Sequence, residues 1–326
     1  VILLLATITF IEANEKEIIM TNAEILKWKD GKKTVFMLEF DDSCETHVTN
    51  AIPELVKRGM VGTFYINPGA EHYKKRINDW EEKIPKMGME YGNHTFSHLG
   101  ALSVDKFEEE LKISNNIINK CFPERKTPRL ISYGRPGVPK ENWRISKEEE
   151  KNALSKFNLI ERPPFFGYPF TIKSKDEILK LVDKALETGE MFHHDFHGVG
   201  GDWHNTPMDF FIELLDKLEA NRDKIWITDP LSYHKYLTER NNSLIKITEQ
   251  NENMIKLFLE SKTDPDLYDV PLSISITAPL NWKKCEIRQL NNSMPVNNNK
   301  GKVVFQISPI TSEILILPLV SQNERF

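Results

Sequence analysis

The sequence has few cysteines, no excess of positive charge and no long hydrophobic run, and each absence excludes a class of protein. Its three cysteines, Cys44, Cys121 and Cys285, are far apart and lack metal-site spacing, so they predict no disulfide framework. One disulfide with a free thiol and three free thiols both stay open. The 326 residues carry a net charge of −5, which makes nucleic acid and anionic membranes poor partners. The composition is that of a globular enzyme or binding protein.

An apolar run, Val1–Ile11, opens the chain and is followed at once by the polar stretch "EANEKE". The run is too short to cross a bilayer, so we expect no stable membrane span. It fits the hydrophobic region of a secretory signal, although a buried first strand or helix is the alternative. Residues 1–20 are therefore predicted to be a truncated signal segment, and the protein to be secreted or extracytoplasmic. Nothing in the sequence predicts the oligomeric state.

From about residue 34 to 238, short apolar runs alternate with amphipathic stretches of helical period. The predicted strands are "TVFMLEF", "GTFYIN", "MEYGN", "RLISYG", "EMFHHDFH" and "KIWITD", with a weaker one near "FNLIERP". Strands that alternate with helices predict a parallel sheet covered by helices, closed as a barrel or left open. Such barrels keep their chemistry at the carboxyl ends of the strands.

The pattern changes after "TERNNS". Stretches such as "VPLSISITAP", "GKVVFQISPI" and "SEILILPLV" alternate apolar and polar residues between Asn, Pro and Lys turns. This alternation predicts several short strands in a small all-β sandwich. We therefore expect an α/β domain over residues 21–240 and a β-sandwich-like domain over residues 241–326.

Three predicted strand ends carry residues that suit metal chemistry. Asp41 and Asp42 close the first strand, His94 and His98 follow the third in "GNHTFSH", and "HHDFHGVGGDW" follows a later one. Two imidazoles and a carboxylate make an open metal site, where a bound zinc ion lowers the pKa of water to about 7. One carboxylate would bind the metal, and its neighbour would accept the proton of the water. Taken singly, an Asp pair also suits a turn or helix cap, and a His pair a surface or core position.

The motifs "FDDS", "TFYIN", "NHTFSH" and "FHGVG", in this order, resemble those of the polysaccharide deacetylases, the carbohydrate esterases of the NodB-homology fold. The resemblance covers residues 34 to 238. It implies a distorted (β/α) barrel, often of seven strands. It also implies a metal-dependent deacetylase that acts on an acetylated sugar or glycan, with Zn²⁺ as the expected ion and Co²⁺, Mn²⁺ or Ni²⁺ as alternatives.

Carried over residue by residue, the resemblance implies that Asp42, His94 and His98 hold the metal. Asp41 would be the catalytic base, Arg135 in "YGRPG" the arginine that pairs with the base, and His197 the general acid. This chain departs from the family at three places. Ser43 replaces the usual Gly after the acids, and Arg135-Pro136-Gly137 matches the Arg/Pro motif only in part. The stretch "ERPPFFGYP", which contains Arg162, stands in place of an acidic and Trp motif.

The remaining residues near the motifs have simpler interpretations. We expect His193, Asp195 and His197 to share the inner face of their strand, because side chains alternate along a strand. His193, His194 and His204 are expected to be structural or rim residues, and Cys44 a small buried hydrophobe. For Trp203, a sugar-stacking ring and a core position are equally open.

Two other functions compete with the deacetylase. One is a catalytically silent glycan-binding protein on the same fold, which would be expected to lose the base or a ligand. The other is a metal hydrolase of a different ester, such as a phosphodiester, for which two ions are often needed.

Overall fold

The computed structural model describes residues 22–164 and 174–319. The predicted signal segment lies outside the described residues, so it stays a prediction. None of the helices in the described ranges has the length and apolar character needed to cross a membrane. Cys44, Cys121 and Cys285 are all buried free thiols, so the alternative with three free thiols holds.

A short strand, β1 (Ala23–Ile25), precedes a sheet of seven parallel strands. The seven are β2 (Thr34–Asp41), β3 (Thr63–Ile66), β4 (Glu90–Asn93), β5 (Ile131–Tyr133), β6 (Leu159–Glu161), β7 (Met191–Phe196) and β8 (Ile225–Thr228). Their order is β6-β5-β4-β3-β2-β7, and β8 pairs with the first half of β2. Within the described ranges no pairing joins β6 to β7. The sheet is thus the distorted, partly open barrel that the resemblance predicts.

Seven α-helices accompany the barrel in the described part of the chain. They are α1 (Ile52–Lys57), α2 (Glu71–Lys75), α3 (Val104–Cys121), α4 (Lys147–Lys156), α5 (Lys175–Thr188), α6 (Met208–Ala220) and α7 (Pro230–Asn241). The longest, α3, follows Ser103, whose hydroxyl caps the helix by accepting from the Lys106 amide. Its apolar face is buried, with Phe107, Leu111 and Ile118 all in the main core.

Strand β2 shows how the barrel positions its chemistry. All eight of its residues are buried. Phe36, Leu38 and Phe40 point to the core between sheet and helices. Because side chains alternate, Glu39 and Asp41 point the other way, into the barrel. An acidic residue is thereby buried at the carboxyl end of the central strand.

The C-terminal region is all-β, as predicted. Its strands are β9 (Ser243–Gln250), β10 (Ile255–Ser261), β11 (Leu272–Thr277), β12 (Lys284–Gln289), β13 (Asn292–Asn297), β14 (Lys302–Ile307) and β15 (Ser312–Pro318). They form a five-stranded sheet, β13-β12-β15-β10-β9, and a three-stranded sheet, β1-β11-β14. The two sheets share one apolar core that includes Leu257, Ile274, Phe305 and Ile316.

Strand β1 departs from the predicted division of the chain. It lies within the range assigned to the barrel, yet it pairs antiparallel with β11 of the sandwich. Three residues are too few to show a strand pattern, and the partner lies about 250 residues away in sequence. The boundary near residue 240 itself stays a prediction.

Candidate metal and active site

The predicted metal ligands meet at the carboxyl edge of the barrel sheet. Asp42 directly follows β2, whereas His94 and His98 lie in the loop after β4. The Asp42 Oδ1 atom lies 3.3 Å from His94 Nε2 and 3.1 Å from His98 Nε2. One ligand atom from each residue lies within 4.8 Å of the other two. Ligands that are 2.0–2.1 Å from a tetrahedral zinc ion are about 3.3 Å apart, so this spacing fits one ion.

The charge and lone pairs of the predicted ligand atoms also favour a bound cation. Asp42 Oδ1 is buried, with the Nε2 atoms of His94 and His98 within 3.3 Å of it. His94 Nδ1 lies 2.7 Å from the Gly134 carbonyl oxygen, to which it donates its hydrogen, so in the neutral ring the lone pair is on Nε2. A carboxylate oxygen and an imidazole lone pair that face each other repel unless a positive ion lies between them. A metal-binding histidine is usually oriented by a hydrogen bond from its other ring nitrogen, and the bond from His94 Nδ1 to Gly134 is of this kind.

The backbone around the ligands is unusually bent. Asp42, Ser43, Thr95 and His98 have φ values of 71°, 52°, 61° and 58°, in the left-handed region that costs energy for residues other than glycine. Polar contacts hold these turns. The Ser43 hydroxyl donates to Asn67 Oδ1 (2.9 Å) and accepts from the Asn67 amide (3.2 Å). Ser43 can therefore occupy the usual glycine position because its side chain ties the loop to the end of β3.

The predicted base, Asp41, is buried beside the triad and is paired with an arginine. Arg162, which follows β6, donates to both carboxylate oxygens of Asp41 at 2.7 Å. Burial alone would raise the pKa of Asp41, but Arg162, together with His94 and His197, lowers it to about 2. Asp41 is therefore ionised at any physiological pH.

The arginine of this pair corrects the sequence prediction. Arg135 was expected to pair with the base, and that expectation is wrong. Arg135 follows β5 at the neighbouring position of the sheet, and its guanidinium lies 3.9 Å above the Trp143 ring and 3.5 Å from Glu150. Both arginines line the candidate site, but Arg162 points inward and Arg135 is half exposed. Only the side chain that points inward, that of Arg162, contacts Asp41.

More buried charge lies beneath the base. Arg162 Nη1 also lies 3.4 Å from Asp195 and 3.7 Å from Glu39, and Glu39 lies 2.8 Å from His193 Nδ1. Three carboxyl groups thus surround one guanidinium in the barrel interior. Burial, together with the nearby Asp41 and Glu39, raises the pKa of Asp195 despite Arg162. His193 is buried in this cluster against Glu39, which is the kind of structural position expected for it.

Strand β7 has the predicted alternation. His193 and Asp195 face the barrel interior, whereas Phe196 stacks on Phe40 (5.0 Å between ring centroids) in the helix-facing core. His194 also lies on the outer face, against Phe196, and burial lowers its pKa to about 3. His197 follows the strand on the inner face, with Nε2 at 3.6 Å from Asp42 Oδ2. Burial lowers the pKa of His197, although Asp41 and Asp42 act against it.

Other residues near the site have structural contacts. His47 is buried and its Nε2 bonds to the His197 carbonyl oxygen (2.6 Å). Cys44 is buried behind Asp41, and burial raises its thiol pKa far above the usual range, which fits the expected inert hydrophobe. Trp203 is 39% exposed and its indole N–H donates to Asp42 Oδ2 at 3.0 Å. Sequence reasoning left the place of Trp203 open and missed this bond to a predicted metal ligand.

All six predicted site residues line one open cavity of about 580 Å³, together with Arg162, Trp203 and the loop after Arg135. A second cavity of about 590 Å³ adjoins it, and Arg135 lies between the two. The site therefore has room for a ligand larger than one acetyl group.

Comparison with known proteins agrees with this architecture. Residues 28–152 match the family model for polysaccharide deacetylases. A solved structure from Mycobacterium smegmatis, assigned as a polysaccharide deacetylase, aligns over 70% of this chain and 98% of its own, with 13% identity and a TM-score of 0.50. This likeness concerns the fold alone.

Two further similarities cover a smaller share of the matched protein. A gellan lyase from Bacillus sp. is 19% identical over 331 residues, which is 91% of this chain but 13% of that protein. A CE4 family pseudoenzyme from Bacillus anthracis shares 16% identity over 59% of this chain and 63% of its own, with a TM-score of 0.41. The family match over residues 28–152 confirms, for that part of the chain, the resemblance to polysaccharide deacetylases that its motifs predicted.

Proposed function

We propose that this protein is a metal-dependent deacetylase that removes acetyl groups from an acetylated sugar or glycan outside the cytoplasm. The observation that carries the proposal is the place of Asp41. A buried, ionised carboxylate held by Arg162 lies next to a carboxylate and two imidazoles whose spacing suits a single divalent ion, most simply Zn²⁺. A base beside a metal site is the arrangement that ester and amide hydrolysis needs.

Each residue of the site would have a separate role in the reaction. Asp42, His94 and His98 would hold the ion, which supplies a polarised carbonyl and a more acidic water when bound. Asp41 accepts a proton from the attacking water, and Arg162 keeps both of its oxygens fixed while it does so. His197 faces the same cavity from β7 and would protonate the departing amine or alcohol. Its lowered pKa makes the protonated imidazole a stronger acid.

A silent glycan-binding protein is the alternative on this fold. It is less favoured, because the base, the three ligands and the histidine acid all line one cavity. A phosphodiesterase is also less favoured, since the described residues offer one ligand set and two ions are usual in that chemistry.

Acetate release tests the proposal. The intact protein would be incubated with a panel of N- and O-acetylated glycans before and after chelation, and again after one equivalent of Zn²⁺. We expect release that chelation removes and zinc restores, and that His94→Ala abolishes together with zinc binding. Glycan binding without acetate release, at full zinc occupancy, would instead establish the silent alternative.

A further inference from the structure

The second oxygen of Asp42 has a partner that neither the motifs nor the proposed reaction uses. Oδ1 points into the triad, and Oδ2 accepts a hydrogen bond from Trp203 Nε1 at 3.0 Å. An indole N–H can only donate, so Trp203 cannot coordinate the ion through its nitrogen. Its hydrogen bond therefore acts on the ion through Asp42, by fixing which oxygen faces the two histidines.

The loop that carries Trp203 is held firmly. The Gly198 amide donates to the Trp203 carbonyl oxygen (2.9 Å), and the Gly200 amide donates to that of Thr206 (2.8 Å). Asp202 accepts from both the amide and the hydroxyl of Thr46, each at 2.8 Å, which ties the loop to the segment after β2. The indole therefore has a defined position relative to Asp42.

His72 supports the same arrangement from the other side. Its ring meets the Trp203 ring edge-on, with 5.2 Å between centroids, and its Nε2 bonds to the Asp42 carbonyl oxygen. Asp42 is thus held at its backbone by one residue and at its carboxylate by another. Both contacts come from outside the triad.

We propose that Trp203 is a positioning residue for the metal, whose indole N–H holds Asp42 with Oδ1 toward His94 and His98. This inference rests on the proposed metal site. Outer hydrogen bonds of this kind typically change metal affinity by about 10–100-fold. The bond also restrains the carboxylate from rotating toward His197 Nε2, which lies 3.6 Å from the same oxygen.

Zinc affinity of Trp203→Phe tests the proposal, because phenylalanine keeps an aromatic ring and removes the donor. The dissociation constant for Zn²⁺ alone would be measured on the full chain by competition with a chromophoric chelator. We expect it to rise about 10–100-fold. Trp28→Phe is the matched control. It also loses an indole hydrogen bond, to the Gly189 carbonyl oxygen (2.9 Å), but lies before β2 and should bind zinc as the wild type does.

The indole signal of the wild type gives a second measurement that does not depend on how the variant folds. The Trp203 N–H resonance, one of six indole signals, should shift when one equivalent of Zn²⁺ is added and should be protected from exchange. Wild-type affinity in Trp203→Phe, or an indole signal that zinc does not move, would overturn the inference and leave the metal site intact. Undiminished zinc binding in His94→Ala would instead overturn the proposed metal site itself.

Discussion

At the scale of single residues, the adjacent acids Asp41 and Asp42 differ in their surroundings more than in their chemistry. Asp41 faces Arg162 inside the barrel, and Asp42 turns outward to the histidines through a left-handed backbone. Asp41→Asn should therefore bind zinc normally but turn over about 10²–10⁴-fold more slowly, because the amide keeps the shape and cannot accept the proton. Asp42→Asn should lose zinc affinity as well as turnover. Metal content and acetate release would be measured on both variants, and equal zinc loss in the two would make Asp41 a ligand.

Arg162 and Arg135 give a second prediction at this scale. A lysine cannot make the paired contacts of a planar guanidinium, so Arg162→Lys should weaken the stabilisation of ionised Asp41. The pKa of Asp41 then rises, and the acid limb of the pH–rate profile should move to higher pH, with a lower maximum. Arg135→Lys should leave the acid limb in place, because Arg135 contacts Glu150 and Trp143 instead. A shift of the limb in Arg135→Lys, with none in Arg162→Lys, would make Arg135 the partner of the base.

The two arginines also show where sequence reasoning stops. The triad could be predicted because chain order assigns the acid pair, His94 and His98 to the ends of nearby strands, which meet at one edge. The family resemblance then implied that Asp42, of the two acids, holds the metal. Arg135 and Arg162 follow the adjacent strands β5 and β6, so their places along the chain are nearly equivalent. What separates them is the direction of the side chain. The stretch "ERPP" places Arg162 at the end of a predicted strand, but no sequence pattern indicates which way its side chain points.

At the scale of elements, period-two alternation is the most informative signal in the sequence. It correctly predicts Asp195 and His197 on the inner face of β7 and Phe196 on the outer face, because this strand has one polar and one apolar side. Loops carry no such period. The left-handed turn at Ser43 and the bond from Trp203 to Asp42 depend on contacts between loops after different strands, which sequence order does not reveal.

The loop after β7 makes a prediction at this scale. A Cβ atom on Gly198 would lie 1.8 Å from the Gly201 carbonyl oxygen and 2.9 Å from that of Trp203. Gly198→Ala should therefore displace the loop, with a stability loss of about 1–3 kcal/mol and weaker zinc binding as Trp203 leaves Asp42. Gly137→Ala, in a loop of the same cavity, meets no atom of the described residues within 4 Å and is the control. Thermal unfolding and zinc titration would be compared, and equal behaviour of the two variants would contradict the prediction.

At the scale of the whole molecule, the barrel and the sandwich are joined by more than the chain between them. Strand β1 enters the sandwich sheet, and the Tyr236 hydroxyl of α7 donates to the Leu26 carbonyl oxygen (2.9 Å). Glu239, also in α7, is fully buried and accepts from the Val270 amide (2.9 Å), just before β11. A buried carboxyl group therefore lies where the two parts meet.

Glu239 should make this junction sensitive to pH. Burial raises its pKa from 4.5 to about 8, with Asp269 adding to the shift and the Val270 amide and Lys235 opposing it. Between these two values the unfolded chain has lost the proton and the folded chain keeps it. The group therefore lowers the free energy of unfolding as pH rises, by up to about 1.4 kcal/mol per pH unit. This contribution is absent below pH 4.5 and levels off above pH 8.

Glu239→Gln isolates that effect, because glutamine stays neutral and keeps an oxygen for the Val270 amide. At pH 5 the variant and the wild type should unfold at similar urea concentrations. At pH 8 the variant should be the more stable, since it no longer places a charge in the apolar junction. Glu260→Gln, an exposed residue of β10, serves as a control and should track the wild type at both pH values. A stability difference between Glu239→Gln and the wild type that is the same at pH 5 and pH 8 would mean that Glu239 does not hold its proton in the folded protein.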